Sequence, residues 1–154
     1  MDIRSLNALT TLHPKFRPSA IAAWTEAQAK MPANVQIIVI QGLRTFQQSN
    51  ADYAQGRTAP GEIITKAPAG ESYHNYGLAF DFAMVTNGKD DYVVGPHWMQ
   101  VVSIMEKYGM TWGGNFSGLK DSPHFENKYG HNWRDLLAKH NAGDFIPGTT
   151  FVNI

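Results

Sequence analysis

Two short stretches of the sequence carry side chains that could bind a metal ion and activate a water molecule. In the first, His74 and Asp81 are separated by Gly77. We expect His74 at the end of a loop and Asp81 one strand later, with the glycine allowing a sharp turn between them. In the second, His124 lies three residues after Asp121. The two stretches together supply nitrogen and oxygen ligands and one spare carboxylate.

Two histidines and one carboxylate form a ligand set that catalytic zinc uses, with a further position left for water. Zinc polarises a carbonyl and makes water more acidic, and Asp121 is the best-placed carboxylate to take the proton. The spacing alone leaves an alternative open, because no His-Glu-x-x-His motif is present and each histidine could be an ordinary polar residue. A serine nucleophile is less favoured, since Ser72 lies outside any Gly-x-Ser-x-Gly motif.

The elements that must position these side chains are predicted from hydrophobic periodicity and from turn residues. Helices alternate with short β-branched segments, which indicates an α+β fold for the 154 residues. The Asn-Gly pair at 87–88 predicts a hairpin turn. We predict helices over 18–30, 45–55, 96–108 and 131–140, strands over 35–40, 78–85, 92–94, 110–112 and 124–126, and a long loop over 57–70.

Composition excludes several classes of function. Thirteen Lys and Arg balance thirteen Asp and Glu, so there is no net basic charge to indicate a nucleic-acid partner. The absence of cysteine excludes disulfides and thiolate metal sites. The longest apolar run, residues 35–40, is too short to span a membrane, and the N-terminus lacks a secretory signal pattern. We expect a monomer with neither nucleic acid nor membrane as a partner.

Five motifs resemble one family. Ser-x-His-x-x-Gly-x-Ala-x-Asp at 72–81 and Asp-x-Pro-His-Phe-Glu at 121–126 are similar to the zinc peptidases of the D-Ala-D-Ala metallopeptidase group. The segments 42–45, 53–61 and 112–114 resemble one branch in particular, the L-alanyl-D-glutamate endopeptidases of phage endolysins and bacterial cell-wall hydrolases. The resemblance implies a hedgehog/D-Ala-D-Ala peptidase-like fold, in which helices flank a small antiparallel sheet.

The resemblance also implies roles for individual residues. His74, Asp81 and His124 match the ligands of one Zn²⁺ per chain. Asp121 matches the general base toward water, and Arg44 matches the arginine that stabilises the developing oxyanion. Contacts with substrate are expected from Ser72, Gln48, Tyr53 and Arg57, although Ser72 could instead support the His74 loop and Arg57 could be a structural donor.

The activity implied is hydrolysis of the L-Ala–D-Glu bond in the peptidoglycan stem peptide. A D,D- or L,D-carboxypeptidase is the alternative, because the same zinc apparatus serves both reactions. An endopeptidase should have a cleft open at both ends, whereas a carboxypeptidase should close one end near a cation. A non-catalytic zinc-containing binding module is a third reading, which the presence of Asp121 and Arg44 argues against.

Residues 1–154 are expected to form one catalytic domain, because the segment 142–154 is too short for a wall-binding module. The expected location is the host cytoplasm until lysis if the protein is phage-encoded, and otherwise the cell wall or periplasm. Glu126 should share the face of His124 and either orient that ligand or form a salt bridge. The other four histidines, which are not expected to bind the metal, are His13, His97, His131 and His140.

Overall fold

The computed structural model describes residues 2–154, which form an α+β fold of five helices packed around a five-stranded antiparallel sheet. Two single turns of 3-10 helix, over Tyr73–Tyr76 and Gly113–Asn115, lie beside the sheet. The helices are α1 (Ile3–Thr10), α2 (Arg17–Lys30), α3 (Phe46–Ala54), α4 (Pro96–Lys107) and α5 (Trp133–Asn141). The strands are β1 (Val35–Gln41), β2 (Ala79–Thr86), β3 (Lys89–Asp91), β4 (Thr111–Trp112) and β5 (His124–Glu126).

Strand β2 is the centre of the sheet, whose order is β1-β2-β5-β4. Its first half pairs with β5 and its second half with β3, while β1 pairs with it along the other side. In this register Asp81 lies opposite His124 on β5 and opposite Gln41 on β1. The pairing therefore brings two polar residues that are distant in sequence into direct contact.

The two faces of β2 have different roles because successive side chains point in opposite directions. Phe80 and Phe82 lie on the core face, where the Phe80 ring stacks on Phe16 at 6.1 Å and the Phe82 ring lies 4.4 Å from Trp98. On the sheet, helix α2 contacts β1 and helix α4 contacts β4, and the two helices pack against each other. Asp81, between the two phenylalanines, therefore projects from the opposite face, where it is available for chemistry.

The free edge of β1 is closed by side chains. Ile37 N–H donates to the side-chain oxygen of Gln28 at 2.8 Å, and Val39 N–H donates to Ser5 Oγ at 2.9 Å. Ser5 belongs to α1 and Gln28 to α2, so both helices satisfy strand donors that would otherwise be free to pair with another chain. Helix α1 thus has a structural role at the edge of the sheet.

Helix α1 was missed by the sequence prediction. Its eight residues are short for a helix, and the carboxylate of Asp2 stabilises them by accepting hydrogen bonds from the backbone N–H groups of Arg4 and Ser5. The predicted strand over 92–94 is wrong. The turn has only two residues, so pairing resumes immediately at Lys89, opposite Thr86, and ends at Asp91.

The other predicted elements are confirmed, with boundaries that shift by one or two residues. Thr45 caps α3, and the segment 57–70 contains no helix or strand, only an isolated bridge from Ala59 to Gln55. Among the described residues, no helix is both long and apolar enough to cross a membrane.

Candidate active site

His74 is positioned by a tight turn. Ser72 Oγ caps the 3-10 turn by accepting a hydrogen bond from His74 N–H, and Gly77 ends it with φ of 67°. A Cβ at Gly77 would lie 2.5 Å from the backbone nitrogen of His13, so only glycine fits this turn. The His74 ring donates from Nδ1 to the carbonyl oxygen of Gly42 at 2.9 Å. That hydrogen bond leaves Nε2 with a lone pair facing the sheet.

Asp81 and His124 meet Nε2 of His74 across the β2–β5 pairing. Asp81 Oδ1 lies 3.3 Å from His74 Nε2 and 3.1 Å from His124 Nδ1. Both histidines are buried, and Asp81 is partly exposed at the floor of a cleft. Three potential ligand atoms from three separate segments therefore lie within 4.8 Å of one another.

Glu126 fixes the orientation of the second histidine. It is 3% exposed, and its Oε2 accepts a hydrogen bond from His124 Nε2 at 2.8 Å. Lys128 Nζ lies 3.4 Å from the other oxygen of Glu126. With Nε2 donating to Glu126, Nδ1 of His124 presents its lone pair to Asp81 and His74. Hydrogen bonds of this kind hold metal-binding imidazoles in the correct tautomer.

The pKa values reflect this concentration of acceptors. Burial alone would raise the pKa of Asp81, but when the imidazoles are protonated their hydrogen bonds to it, from His124 and then His74, outweigh burial and hold that pKa well below its usual range. Burial alone would lower the pKa of His124, yet its hydrogen bonds to Asp81 and Glu126 raise it to about 9. A positive charge is thus strongly favoured between the three side chains.

This donor set fits a divalent metal ion. Two imidazole nitrogens and one carboxylate oxygen converge, and the far nitrogen of each ring is already engaged with an acceptor. The ligand atoms would repel one another unless a proton or a cation lies between them. The combination of two histidines and one carboxylate is typical of a catalytic site with an open position.

The three ligands line a cavity of about 150 Å³ that also contains Asp121 and Arg44. Asp121 Oδ2 lies 3.8 Å from His124 Nδ1, and the side chain is about half exposed. Burial and the nearby charge of Asp81 raise the pKa of Asp121. A raised pKa makes a carboxylate a better base, so Asp121 suits proton transfer at the rim of the site.

Arg44 is fixed through its backbone. Its N–H donates to the carbonyl of His74 at 3.0 Å, and its own carbonyl accepts a hydrogen bond from Asn75 Nδ2 at 3.0 Å. Its Nε lies 3.9 Å from Asp52 Oδ2 on α3. The guanidinium therefore lies in the same cavity as the ligand cluster, and its location is coupled to the turn that carries His74.

The comparisons with known proteins agree with this geometry. A profile of the Peptidase M15 family described as D-alanyl-D-alanine carboxypeptidase matches residues 65–127. The peptidoglycan L-alanyl-D-glutamate endopeptidase CwlK of Bacillus subtilis (strain 168) is 38% identical over 130 residues, which cover 75% of this chain and 72% of CwlK. The chain belongs to the M15 peptidase family.

A phage protein and two solved structures extend the M15 similarity. The L-alanyl-D-glutamate peptidase of Listeria phage A118 is 25% identical over 140 residues, covering 88% of this chain but only 45% of the phage protein. The Serratia marcescens L-Ala D-Glu endopeptidase ChiX superposes with a TM-score of 0.59 at 20% identity, covering 88% of this chain and 91% of ChiX. The vancomycin resistance D,D-dipeptidase VanXYg superposes with a TM-score of 0.56 at 16% identity, covering 87% of this chain and 61% of VanXYg. At these identities the two structures show a shared fold.

In this M15 peptidase the structure brings together six of the nine residues predicted for the site. They are His74, Asp81, His124, Asp121, Arg44 and Ser72. The other four histidines lie outside this cluster, and His13 is buried elsewhere.

Three predicted substrate contacts do not line the cavity, and each has a structural partner instead. Gln48 accepts a hydrogen bond from Thr45 N–H at 2.8 Å in the capping box of α3. The guanidinium of Arg57 lies 3.8 Å from the centre of the Tyr53 ring and donates to the carbonyls of Tyr53 and Thr65. These residues therefore stabilise α3 and the loop that follows it.

The sequence analysis missed four residues that line the cavity: Ser49, Asp52, Thr65 and Ala67. Ser49 and Asp52 are three residues apart, which places them on one face of α3. That spacing after Arg44 was a usable signal for a polar face turned toward the cleft. Thr65 and Ala67 lie in the long loop, where no periodicity indicates which side chains point inward.

Proposed function

We propose that this M15 peptidase binds Zn²⁺ through His74, Asp81 and His124 and hydrolyses the L-Ala–D-Glu bond of the peptidoglycan stem peptide. The observation that carries this proposal is the convergence of His74 Nε2, Asp81 Oδ1 and His124 Nδ1 in one cavity with Asp121 and Arg44. CwlK supports the choice of bond, since it is a peptidoglycan L-alanyl-D-glutamate endopeptidase and covers most of this chain.

A zinc ion, when bound, supplies a Lewis acid that polarises the scissile carbonyl and makes the attacking water more acidic. Asp121 takes a proton from that water as the oxygen bonds to the carbonyl carbon. It then gives the proton to the departing nitrogen as the carbon–nitrogen bond breaks, which yields a carboxylate and an amine.

Arg44 stabilises the negative charge that develops on the carbonyl oxygen. A guanidinium held in place before the reaction needs little reorganisation as the charge appears, and such donors contribute about 3 kcal/mol to barrier lowering. The backbone hydrogen bonds of Arg44 to His74 and Asn75 provide this preorganisation. Ser72 supports the His74 turn through its hydroxyl and faces the cavity, where it could also contact the substrate.

Carboxypeptidase action on a terminal D-Ala is the second candidate, and the description of the matching family profile favours it. The similarity to CwlK favours the endopeptidase, and the site leaves room for a longer substrate. Beyond Thr65 and Asp121 the cavity continues into a second one of about 560 Å³, so the substrate can extend past the site on this side.

Mass spectrometry of purified muropeptides distinguishes the candidates. We expect release of a peptide that begins at D-Glu, and we expect a zinc chelator to abolish that release. Loss of only a terminal D-Ala would establish the carboxypeptidase instead. Intact stems in the presence of confirmed bound zinc would favour a binding module.

A further inference from the structure

A second cavity adjoins the active site and shares two of its residues. Thr65 and Asp121 line both cavities. The remaining lining of the second cavity consists of Ile63, Ile64, Lys66 and Leu119, which we call the apolar groove. Because Asp121 stands at the junction, a substrate held over the metal ligands must pass this residue to enter the groove.

The groove exposes large apolar side chains to solvent. Ile63 is 57% exposed, Ile64 58% and Leu119 92%. Clustered apolar side chains at a cleft commonly mark a binding surface, because covering them removes apolar area from water. Their position directly beside the candidate base connects this surface to the reaction.

The first wall of the groove is held in place by Gln55, at the end of α3, and by Arg57, which was expected to bind substrate. Gln55 donates from its side chain to the carbonyl of Glu62 at 3.0 Å, just before Ile63. Arg57 donates to the carbonyl of Thr65 at 3.0 Å, just after Ile64. The two isoleucines are therefore bracketed by hydrogen bonds, which fixes the wall before any ligand arrives.

The second wall is fixed on both sides of Leu119. Lys120 Nζ donates to the carbonyls of Gly114 and Phe116, at 3.3 and 3.4 Å. Asp121 N–H donates to the carbonyl of Gly113 at 3.0 Å. Leu119 thus projects from a loop whose ends are tied to the turn beside β4, and it faces the same groove as the isoleucines.

The chemistry decides which half of the substrate the groove can receive. Asp121 must reach the departing nitrogen to deliver its proton, so the residue that carries this nitrogen lies on the Asp121 side of the cleft. The groove begins at Asp121. The amine-side half of the cleaved peptide therefore continues into the groove, while the acyl-side half lies over the metal ligands and toward Arg44.

We propose that the apolar groove is the binding subsite for the amine-side half of the stem peptide and determines how much of that half the enzyme requires. Ile63, Ile64 and Leu119 pack against the methylene groups of D-Glu and of a following lysine-like side chain. Lys66 pairs with the α-carboxylate of D-Glu, and within residues 2–154 its ammonium forms no ion pair with the protein. This inference rests on the proposed function, since it assumes cleavage of the L-Ala–D-Glu bond.

Two peptides with the same scissile bond test the inference on the zinc-loaded protein. The short peptide is N-acetyl-L-Ala–D-Glu with its γ-carboxyl amidated, and the long peptide continues from that carboxyl into L-Lys. We expect the wild-type protein to cleave the long peptide with the higher kcat/KM. In Ile64→Ser and Leu119→Ser we expect this advantage to fall about tenfold, as for other losses of apolar contact in a binding pocket. Cleavage of the short peptide should fall less, because that peptide makes only the D-Glu contacts with the groove.

Ile3→Ser is the matched control, because Ile3 is 71% exposed and lies outside both cavities. We expect it to match wild type on both peptides. A direct readout uses metal-free protein and the product dipeptide D-Glu–γ-L-Lys: methyl NMR signals of Ile63, Ile64 and Leu119 should shift on addition of the dipeptide. Lys66→Met should weaken that binding.

Each outcome separates the groove from the proposed function. If the variants lose kcat/KM equally on both peptides, or if the methyl signals do not shift, the groove is not the amine-side subsite. The proposed endopeptidase activity is unaffected by that result. No cleavage of either peptide by zinc-loaded wild type overturns the proposed function and the groove together. A wild-type dimer that Leu119→Ser dissociates, with unchanged peptide kinetics, would make the groove an interface between copies and would also overturn the inference.

Discussion

His124 Nε2 lies 2.8 Å from Oε2 of Glu126, and both side chains are buried on one face of β5. The acceptor fixes which nitrogen of His124 faces the other ligands. A carboxylate in this position also increases the electron density on the imidazole, which strengthens its bond to a metal ion. The strand alternation that puts residues 124 and 126 on one face is thus part of the metal site.

We predict that Glu126→Gln weakens zinc binding about 10- to 100-fold while the fold is retained. Glutamine is nearly the same size and can still accept the hydrogen bond, but it lacks the negative charge. Competition with a zinc-binding dye would measure the change in Kd. Glu106→Gln is the control, since Glu106 is an exposed glutamate of α4. An unchanged Kd in Glu126→Gln would show that the negative charge of Glu126 does not strengthen zinc binding.

Asp121→Asn separates proton transfer from metal binding. We expect the variant to retain one zinc per chain, because Asp121 lies at the rim, whereas the three convergent ligand atoms come from other residues. Turnover should fall about 10²- to 10⁴-fold, because the amide cannot accept a proton from water. Elemental analysis gives the stoichiometry and peptide hydrolysis gives the rate.

The pH profile provides a second readout for Asp121. Only the ionised carboxylate can take a proton from water, so protonation of Asp121 should give the wild-type kcat/KM profile an acid limb. In Asp121→Asn that limb should disappear from the residual activity. Activity like that of the wild-type protein would refute the base assignment, and loss of zinc would reassign Asp121 as a ligand.

Residue types at short spacings predicted a possible metal site, but only the family resemblance favoured it over ordinary polar residues and gave Arg44 its role. His74 and Asp81 lie on either side of Gly77, and His124 follows Asp121 by three residues. Thr65 and Ala67 were not predictable in the same way. They reach the cavity through the path of the long loop, and that path depends on the contacts of Arg57 with Tyr53 and Thr65.

The missed helix and the misplaced strand have similar causes. Helix α1 depends on one capping carboxylate and on packing against β1, which a short segment does not reveal by itself. The apolar residues 92–94 look like a strand, yet the two-residue turn places the pairing before them. In both places a specific contact outweighs local preference.

Gly77→Ala should disturb the His74 turn more than an ordinary glycine substitution disturbs a turn. Gly77 has φ of 67°, and a Cβ there would lie 2.5 Å from the backbone of His13. Gly88 has φ of 74°, and a Cβ there would meet nothing within 4 Å. Gly88→Ala therefore measures the cost of the left-handed backbone alone, about 1 kcal/mol.

We expect Gly77→Ala to lower the free energy of unfolding by clearly more than Gly88→Ala, by about 3 kcal/mol in total, since backbone atoms must move to relieve the contact. Urea denaturation of both variants measures the difference. Zinc affinity should also fall in Gly77→Ala, because the same turn carries His74. Equal losses of stability in the two variants would show that the close approach to His13 is relieved without cost.

His13 makes the stability of the protein depend on pH. It is 1% exposed, its Nε2–H donates to the carbonyl of Val152 at 2.8 Å, and its Nδ1 accepts from Lys15 N–H at 3.0 Å. Both ring nitrogens are satisfied only in the neutral form. Burial is the main cause that lowers the pKa of His13 below its ordinary value of 6.5.

The unfolded chain therefore takes up the proton on His13 before the folded protein does. The contribution of neutral His13 is complete above the unfolded pKa of 6.5. It is lost as the pH falls from there through the lower folded pKa, below which it changes no further. We predict that His13→Gln is less stable than wild type near pH 8 and that this deficit shrinks as the pH falls toward about 5.

Urea unfolding of metal-free protein at several pH values measures the deficit, and titrations shared by both proteins cancel in the difference. His97→Gln, at an exposed histidine of α4, is the control for the same substitution at the surface. A deficit for His13→Gln that stays constant across the range would mean that His13 binds its proton equally well in the folded and unfolded chains. The link between the C-terminal segment and the loop before α2 would then be insensitive to pH.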